Sequence, residues 1–154
     1  MSEPAWIELD LVLAIHDRLL VEHGGAEGVR DASLLQSALG RPLNHIAYAS
    51  SDIIELAAKH TAGIVQNHPF GDGNKRTGFV IGVLFLELNG YRFTASEEAA
   101  AQAVLELAAG TVDEAGFCEF LRANARQCAP TQVTAIEGEL RGRNRTRIEA
   151  FNSL

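Results

Sequence analysis

The sequence predicts an all-α fold, a compact single-domain helical bundle, on three observations. Each long apolar stretch of the 154 residues repeats at three- and four-residue intervals, the period of a helix face. Glycine, proline or asparagine punctuates the ends of most of these stretches, where a helix would stop. Extended signals are sparse, with Tyr91, Arg92 and Phe93 giving a fragment of strand at most, so the fold has space for one small β-hairpin and no more.

Leu9 to His23 sets Val12, Ile15 and Leu19 among Leu9, Leu13 and Leu20 on helical spacing, with Gly24 and Gly25 as a stop. A glycine-broken charged loop, GGAEGVRD, follows, and Ala32 to Leu39 then reads as a short helix ended by Gly40 and Pro42. From Asp52 to Asn67 the apolar residues cover a wide face, which predicts a long buried helix capped by Ser51 or Asp52. Pro69 biases His68 away from the helical region, so an extended His68 is expected to end that helix and expose its imidazole. A second long helix is expected from Asn74 to Asn89, with Asn74 a candidate N-cap. Thr94 to Glu97 has capping-box spacing ahead of an alanine-rich helix to Ala109, and Thr111 to Glu114 repeats it ahead of a last core helix to about Arg126. Beyond Pro130, Val133, Ile136, Leu140, Ile148 and Phe151 fit a weak amphipathic helix, while the alternating Arg141, Arg143, Arg145 and Arg147 fit a frayed tail equally well. The expected division is a domain over residues 1–127 and a C-terminal extension over 128–154.

A hydrophobic content of 47% suits one buried core at this length. Before Cys128 there are nine Lys and Arg against seventeen Asp and Glu, so that body carries −8. Direct nucleic-acid binding is therefore not expected, since a duplex demands a basic footprint, and a basic protein partner suits the surface better. Cys118 and Cys128 match no zinc pattern and read as reduced packing residues. No apolar run of membrane-spanning length and no basic leader is present, so a cytoplasmic setting is expected.

The chemistry concentrates in His68 to Gly78, HPFGDGNKRTG, between the two predicted core helices. His68 can accept a proton from an attacking hydroxyl, and Asp72 is a hard oxygen ligand suited to Mg2+. A helix beginning at Asn74 would aim unbonded N–H groups and its positive dipole end at Gly71, Asp72 and Gly73. Lys75 and Arg76 oppose that dipole, a local cost that a bound phosphate would offset. Gly73, Asn74, Lys75 and Arg76 are thus the candidate phosphate-binding residues. The bland readings are an Asp-Gly turn for Asp72, a capping role for His68 and solvated cations. A Walker loop is excluded because the GxxxxGK[ST] spacing is missing and a helix precedes the motif. His16 falls in an ordinary amphipathic helix, His60 reads as a satisfied core histidine, and His23 and His45 have no evident partners.

HPFGDGNKRTG resembles the signature of the Fic/Doc superfamily, specifically its Doc branch, the death-on-curing toxins of bacterial toxin–antitoxin modules. The likeness continues through LAIHDRLLVEHGG, GVRD, GRP and Tyr48, AAKHTAGIVQNHPF, FLELNG and the late AAG, from about Leu9 to Arg126. It implies a helical fold of the Fic/Doc type and a nucleotide-dependent transferase, with His68 matching the catalytic base, Asp72 the magnesium ligand and Gly73 to Arg76 the phosphate-binding segment. Fic adenylyltransferases have glycine where Lys75 stands and a second arginine where Phe79 stands. The Doc-type pattern implies a kinase that uses ATP and Mg2+ to phosphorylate a threonine of elongation factor Tu. Adenylyl transfer and a catalytically silent binding module are the alternatives. Thr134 to Gly138 falls one residue short of the family's self-inhibitory motif, so the resemblance implies restraint by a separate antitoxin.

Overall fold

The computed structural model describes residues 3–48 and 52–141. At its centre α3 (Ile53–Asn67) and α4 (Asn74–Leu88) pack more closely against each other than any other pair of elements. The sequence permits this at two glycines of α4. A methyl group at Gly78 would come within 3.1 Å of the Thr61 carbonyl oxygen, and one at Gly82 would overlap the Thr61 hydroxyl. The Thr61 hydroxyl instead donates to the Gly78 carbonyl at 2.8 Å, tying the two helices at their closest approach. Every residue of α4 from Thr77 to Leu86 is buried, so this helix is the axis of the core.

The remaining elements cover that pair. α1 (Leu9–His23) lies on α4, while α2 (Ala32–Tyr48) and α6 (Glu114–Ala123) lie on α3. α5 (Glu97–Ala109) touches α3, α4 and α6. A short antiparallel pair, β1 (Tyr91–Phe93) with β2 (Ala125–Gln127), sets Phe93 opposite Ala125 and is joined by two helices instead of a turn. α7 (Val133–Arg141) packs on α1 and sinks Ile136 fully into the core. The N-terminal segment is pinned by Asn89, whose side chain accepts from the Ala5 N–H at 2.7 Å and donates to the Ala5 carbonyl at 2.9 Å. No helix among the described residues is long and apolar enough to cross a membrane. The all-helical architecture with one small β pair is as the sequence predicts.

Several local expectations are corrected. α2 does not stop at Gly40 and Pro42 but runs on to Tyr48. Pro42 removes one intrahelical donor, a loss outweighed by packing: Leu35, Ala38 and Pro42 are buried, and Ala38 lies against Gly63, where a methyl would be 3.2 Å away. The caps of α5 and α6 are Ser96 and Asp113, not Thr94 and Thr111, and their side chains accept from Ala99 and Gly116 N–H. Thr94 and Thr111 donate instead to the Asn124 and Glu106 carbonyls. α6 ends at Ala123, because Ala125 to Gln127 are drawn into the β pair. Cys118 and Cys128 are both free thiols, but only Cys118 is buried. Asp52 caps α3 as expected, accepting from Glu55 N–H at 2.8 Å, whereas Ser51 falls outside the described residues. So do Arg143, Arg145, Arg147, Ile148 and Phe151.

Candidate active site

α3 ends at His68, which is left-handed (φ 49°, ψ 55°) and not extended as the following proline suggested. It is the sole non-glycine residue with positive φ among the described residues. Pro69 disfavours the right-handed region, and the left-handed one lets the His68 N–H close on the Ile64 carbonyl at 3.2 Å as a helix C-cap. A non-glycine residue there is strained, and Arg30 holds it: its guanidinium donates to the His68 carbonyl at 2.9 Å and to that of Asn67 at 3.2 Å. The His68 side chain is exposed.

The loop then runs alongside residues 28–31. Arg30 and Asp31 N–H groups donate to the Pro69 carbonyl, the Gly71 N–H donates to the Gly28 carbonyl, and Val29 bridges Phe70. Phe70 is buried and stacks on His16 of α1, ring centroids 3.8 Å apart and nearly parallel. His16 Nε2 meets the Asp72 carbonyl at 2.8 Å. Asn74 is the first residue of α4, not its N-cap; its side chain accepts from the Phe70 N–H at 2.9 Å and donates to the Phe70 carbonyl at 3.1 Å, clasping the loop. The cap is Gly73, left-handed at φ 78°, with no side chain to satisfy the helix start.

That start is therefore open. The N–H groups of Asn74, Lys75 and Arg76 have no acceptor within α4. One Asp72 oxygen accepts from Gly73 N–H at 2.8 Å, and the carboxylate also acts on Arg76. Burial pushes the Arg76 guanidinium down from its ordinary value, the Asp72 charge draws it back up, and its buried Nε has no hydrogen-bond partner. Lys75 is exposed. The folding thus gathers Asp72, Gly73, Asn74 and Arg76 around one helix terminus, with His68 and Lys75 exposed on the same short segment. Such a terminus binds anions, and a carboxylate beside it suits a cation shared with phosphate oxygens. Among the described residues no three His, Cys, Asp or Glu side chains converge as a metal site of their own.

Sequence reasoning missed His16 and Arg30, because both act on backbone carbonyls far along the chain. The signal available for His16 was its place between Val12 and Leu19 on the buried stripe of α1, where a polar group requires a partner. His60 is a correction of another kind. It is buried against Trp6 and Phe85 as a core residue, yet neither ring nitrogen has a hydrogen-bond partner, and burial depresses its pKa to about 4. His45 approaches Glu55 at 3.9 Å.

Two cavities lie away from the loop. One of about 800 Å3 is bounded by Trp6, Leu11, Val133 and Leu140, and one of about 270 Å3 by Lys59, Glu114, Cys118 and Arg122.

Residues 6–86, which span the whole of this site, match the Fic/DOC family. A protein of Escherichia phage P1 named "Protein kinase doc" is 30% identical over 112 residues, covering 72% of this chain and 88% of its own. A protein of Mycolicibacterium smegmatis named "Toxin Doc" is 34% identical over 77 residues, covering 49% of this chain and 59% of its own. With its helical architecture, the motif at the head of α4 and these matches, the chain belongs to the Fic/DOC family.

Proposed function

We propose that this protein is the toxin of a toxin–antitoxin pair, a kinase that transfers the γ-phosphate of ATP to a threonine hydroxyl of elongation factor Tu. The observation that carries the reading is the unfinished start of α4: the N–H groups of Asn74, Lys75 and Arg76 have no acceptor within the helix and no side-chain cap, beside the Asp72 carboxylate that acts on Arg76. A polyphosphate offers acceptors to such a helix start and counter-charge to Lys75 and Arg76. The name of the phage P1 relative supports kinase chemistry and that of the Mycolicibacterium smegmatis relative supports a toxin; a separate antitoxin and a cytoplasmic setting belong to the same proposal.

In this reading Gly73, Asn74, Lys75 and Arg76 hold the phosphates through backbone N–H groups and positive charge. The Asp72 oxygen not used by Gly73 would hold Mg2+, which when bound offsets negative charge on the transferring group. His68 accepts the threonine proton as the threonine oxygen bonds to the γ-phosphorus and the bond from that phosphorus to the bridging oxygen breaks, releasing ADP. The strained His68 backbone, held by Arg30, fixes where that imidazole projects from the helix end.

One observation favours phosphate over adenylyl transfer. Phe79, at the place of the second arginine of Fic adenylyltransferases, is fully buried against Phe93 and offers no cation to a nucleotide. Intact-mass measurement of elongation factor Tu after incubation with this protein and magnesium ATP tests the reading. A gain of one phosphate is expected, with label from the γ and not the α position. A gain of one AMP would replace the kinase by an adenylyltransferase, and no gain with unimpaired growth on expression would leave a silent binding module.

A further inference from the structure

We infer that His16 is a positioning residue for the phosphate-binding loop: from α1 it holds the Asp72 carbonyl and so aims the Asp72 carboxylate and the start of α4, an assignment whose functional consequence rests on the phosphotransfer reading above. The imidazole is 2% exposed, and its Nε2 is 2.8 Å from the carbonyl oxygen of a residue 56 positions away. A carbonyl can only accept, so Nε2 carries the hydrogen, whether the ring is neutral or an imidazolium. The same ring stacks on Phe70 at 3.8 Å and lies beside Gly73, where a methyl group would meet it at 3.8 Å. One side chain therefore contacts the loop at residues 70 and 72 and borders Gly73.

The other ring nitrogen makes no comparable bond. Nδ1 is 4.0 Å from a carboxylate oxygen of Asp17, beyond hydrogen-bond reach, and Asp17 is largely exposed. The directional information in this contact is all in the Nε2 donor. The Asp72 carbonyl and carboxylate belong to one residue, and Gly73, next in the chain, is the N-cap of α4. Loss of the anchor would free the peptide that joins the metal-ligand candidate to the anion-binding helix start. Positioning errors of this size are costly to a site that works by preorganised electrostatics.

Two substitutions separate the donor from the ring. Glutamine carries its amide nitrogen as far from the backbone as Nε2, whereas asparagine reaches only the Nδ1 position, and both lose the stacking on Phe70. H16Q and H16N should therefore melt at similarly lowered temperatures by circular dichroism. By calorimetric titration with magnesium ATP, H16Q should stay close to the parent while H16N binds about tenfold more weakly, the loss expected for one buried hydrogen bond. Equal affinities of the two variants overturn the assignment.

Two further readouts need no nucleotide. Imidazole 15N resonances of the parent should report His16 with its hydrogen on Nε2; a neutral ring protonated only on Nδ1 overturns the inference even if the variants fold poorly. Hydrogen exchange at the Gly73 and Thr77 amides, both hydrogen-bonded within this loop, should quicken in H16N and not in H16Q. If the parent protein binds no magnesium ATP, the phosphotransfer reading fails by itself, and these two measurements still decide whether His16 anchors the loop.

Discussion

Two clusters of charge are built on α3, and they are finished differently. Along its first two turns every cation meets a carboxylate: Lys59 and Arg41 grip the two oxygens of Glu114 at 2.7 Å each, and Arg122 reaches Asp52 at 2.9 Å. Beyond its last turn the two cations Lys75 and Arg76 outnumber their one carboxylate, Asp72. Arg76 has Asp72 for electrostatic company but no hydrogen bond at its buried Nε, and Lys75 makes no ion pair among the described residues. The first cluster joins α2, α3 and α6 and uses up its charge in doing so. The second leaves donors and positive charge in hand at a helix terminus, which is what binding an anion requires.

The sharpest way to break this contrast is to remove a member of each cluster and read both activity and stability. His68→Ala should lower the rate of phosphate transfer by on the order of 10²- to 10⁴-fold, the range for loss of a general base, while the melting temperature stays near that of the parent. Arg76→Ala should cost on the order of 10²- to 10³-fold, as for loss of a positioned electrostatic donor. Transfer kinetics with elongation factor Tu and thermal melts on the same samples provide the check. A collapse of stability in His68→Ala would move that residue from the open cluster to the structural one.

His60 sharpens the contrast from the opposite direction, because it stands on α3 between the clusters, buried against Trp6 and Phe85 with no hydrogen-bond partner at either ring nitrogen. Its pKa is lowered by burial from 6.5 to about 4. Between those values the unfolded chain binds a proton that the folded chain does not, so its stability contribution is complete above 6.5 and is lost as pH falls toward 4. The loss should amount to roughly 3 kcal/mol across that window. Urea unfolding of the parent and of His60→Phe as a function of pH checks this: the parent should weaken through the window, and the variant should lack that component.

The closed cluster should show a smaller effect with the same sign of pH dependence. Burial alone would raise the Glu114 carboxyl, but the hydrogen bond from Lys59 and the charges of Arg41 and Lys59 outweigh it and leave the pKa below its ordinary value. The stability this provides is present above the unfolded carboxyl pKa and is lost as pH falls through the lower folded one. Glu114→Gln should therefore cost about 1–2 kcal/mol at neutral pH, since the group is partly solvated, and the cost should vanish in acid. Nucleotide binding by this variant should match the parent. If it does not, the two clusters are coupled and the contrast drawn between them is wrong.

How much of this was legible in the sequence depended on the distance over which each feature is decided. α1, α3 and α4 were readable to within a residue or so, because periodicity and flanking Gly, Asp or Asn act within a few positions. The motif at the head of α4 was readable because its chemistry is consecutive. The stop misplaced at Pro42 reflects a tertiary override: burial of Leu35 and Ala38 against α3 carries the helix through the proline. β2 was read as the end of a helix because its strand partner is more than thirty residues away. His16 and Arg30 went unrecognised because a side chain bonded to a distant carbonyl has no sequence period, only an unexplained polar group among apolar neighbours.

The smallest expected effect distinguishes the clusters by sign. A cation in the first turn of a helix opposes the dipole and costs a few tenths to about 1 kcal/mol when exposed. Lys75 is such a cation, with no acidic residue in the first turn of α4 to offset it. Lys75→Gln should therefore raise the stability of the free protein by about 0.3–1 kcal/mol and at the same time weaken magnesium ATP binding. The charges around Glu114 should behave oppositely: removal of Arg41, Lys59 or Glu114 should destabilise the protein and leave nucleotide binding unchanged. Chemical denaturation without ligand, paired with titration of nucleotide, measures both quantities on one sample. A Lys75→Gln variant that is less stable and binds nucleotide normally would mean that the cation already has its counter-charge within the fold, and the open cluster would then be closed like the other.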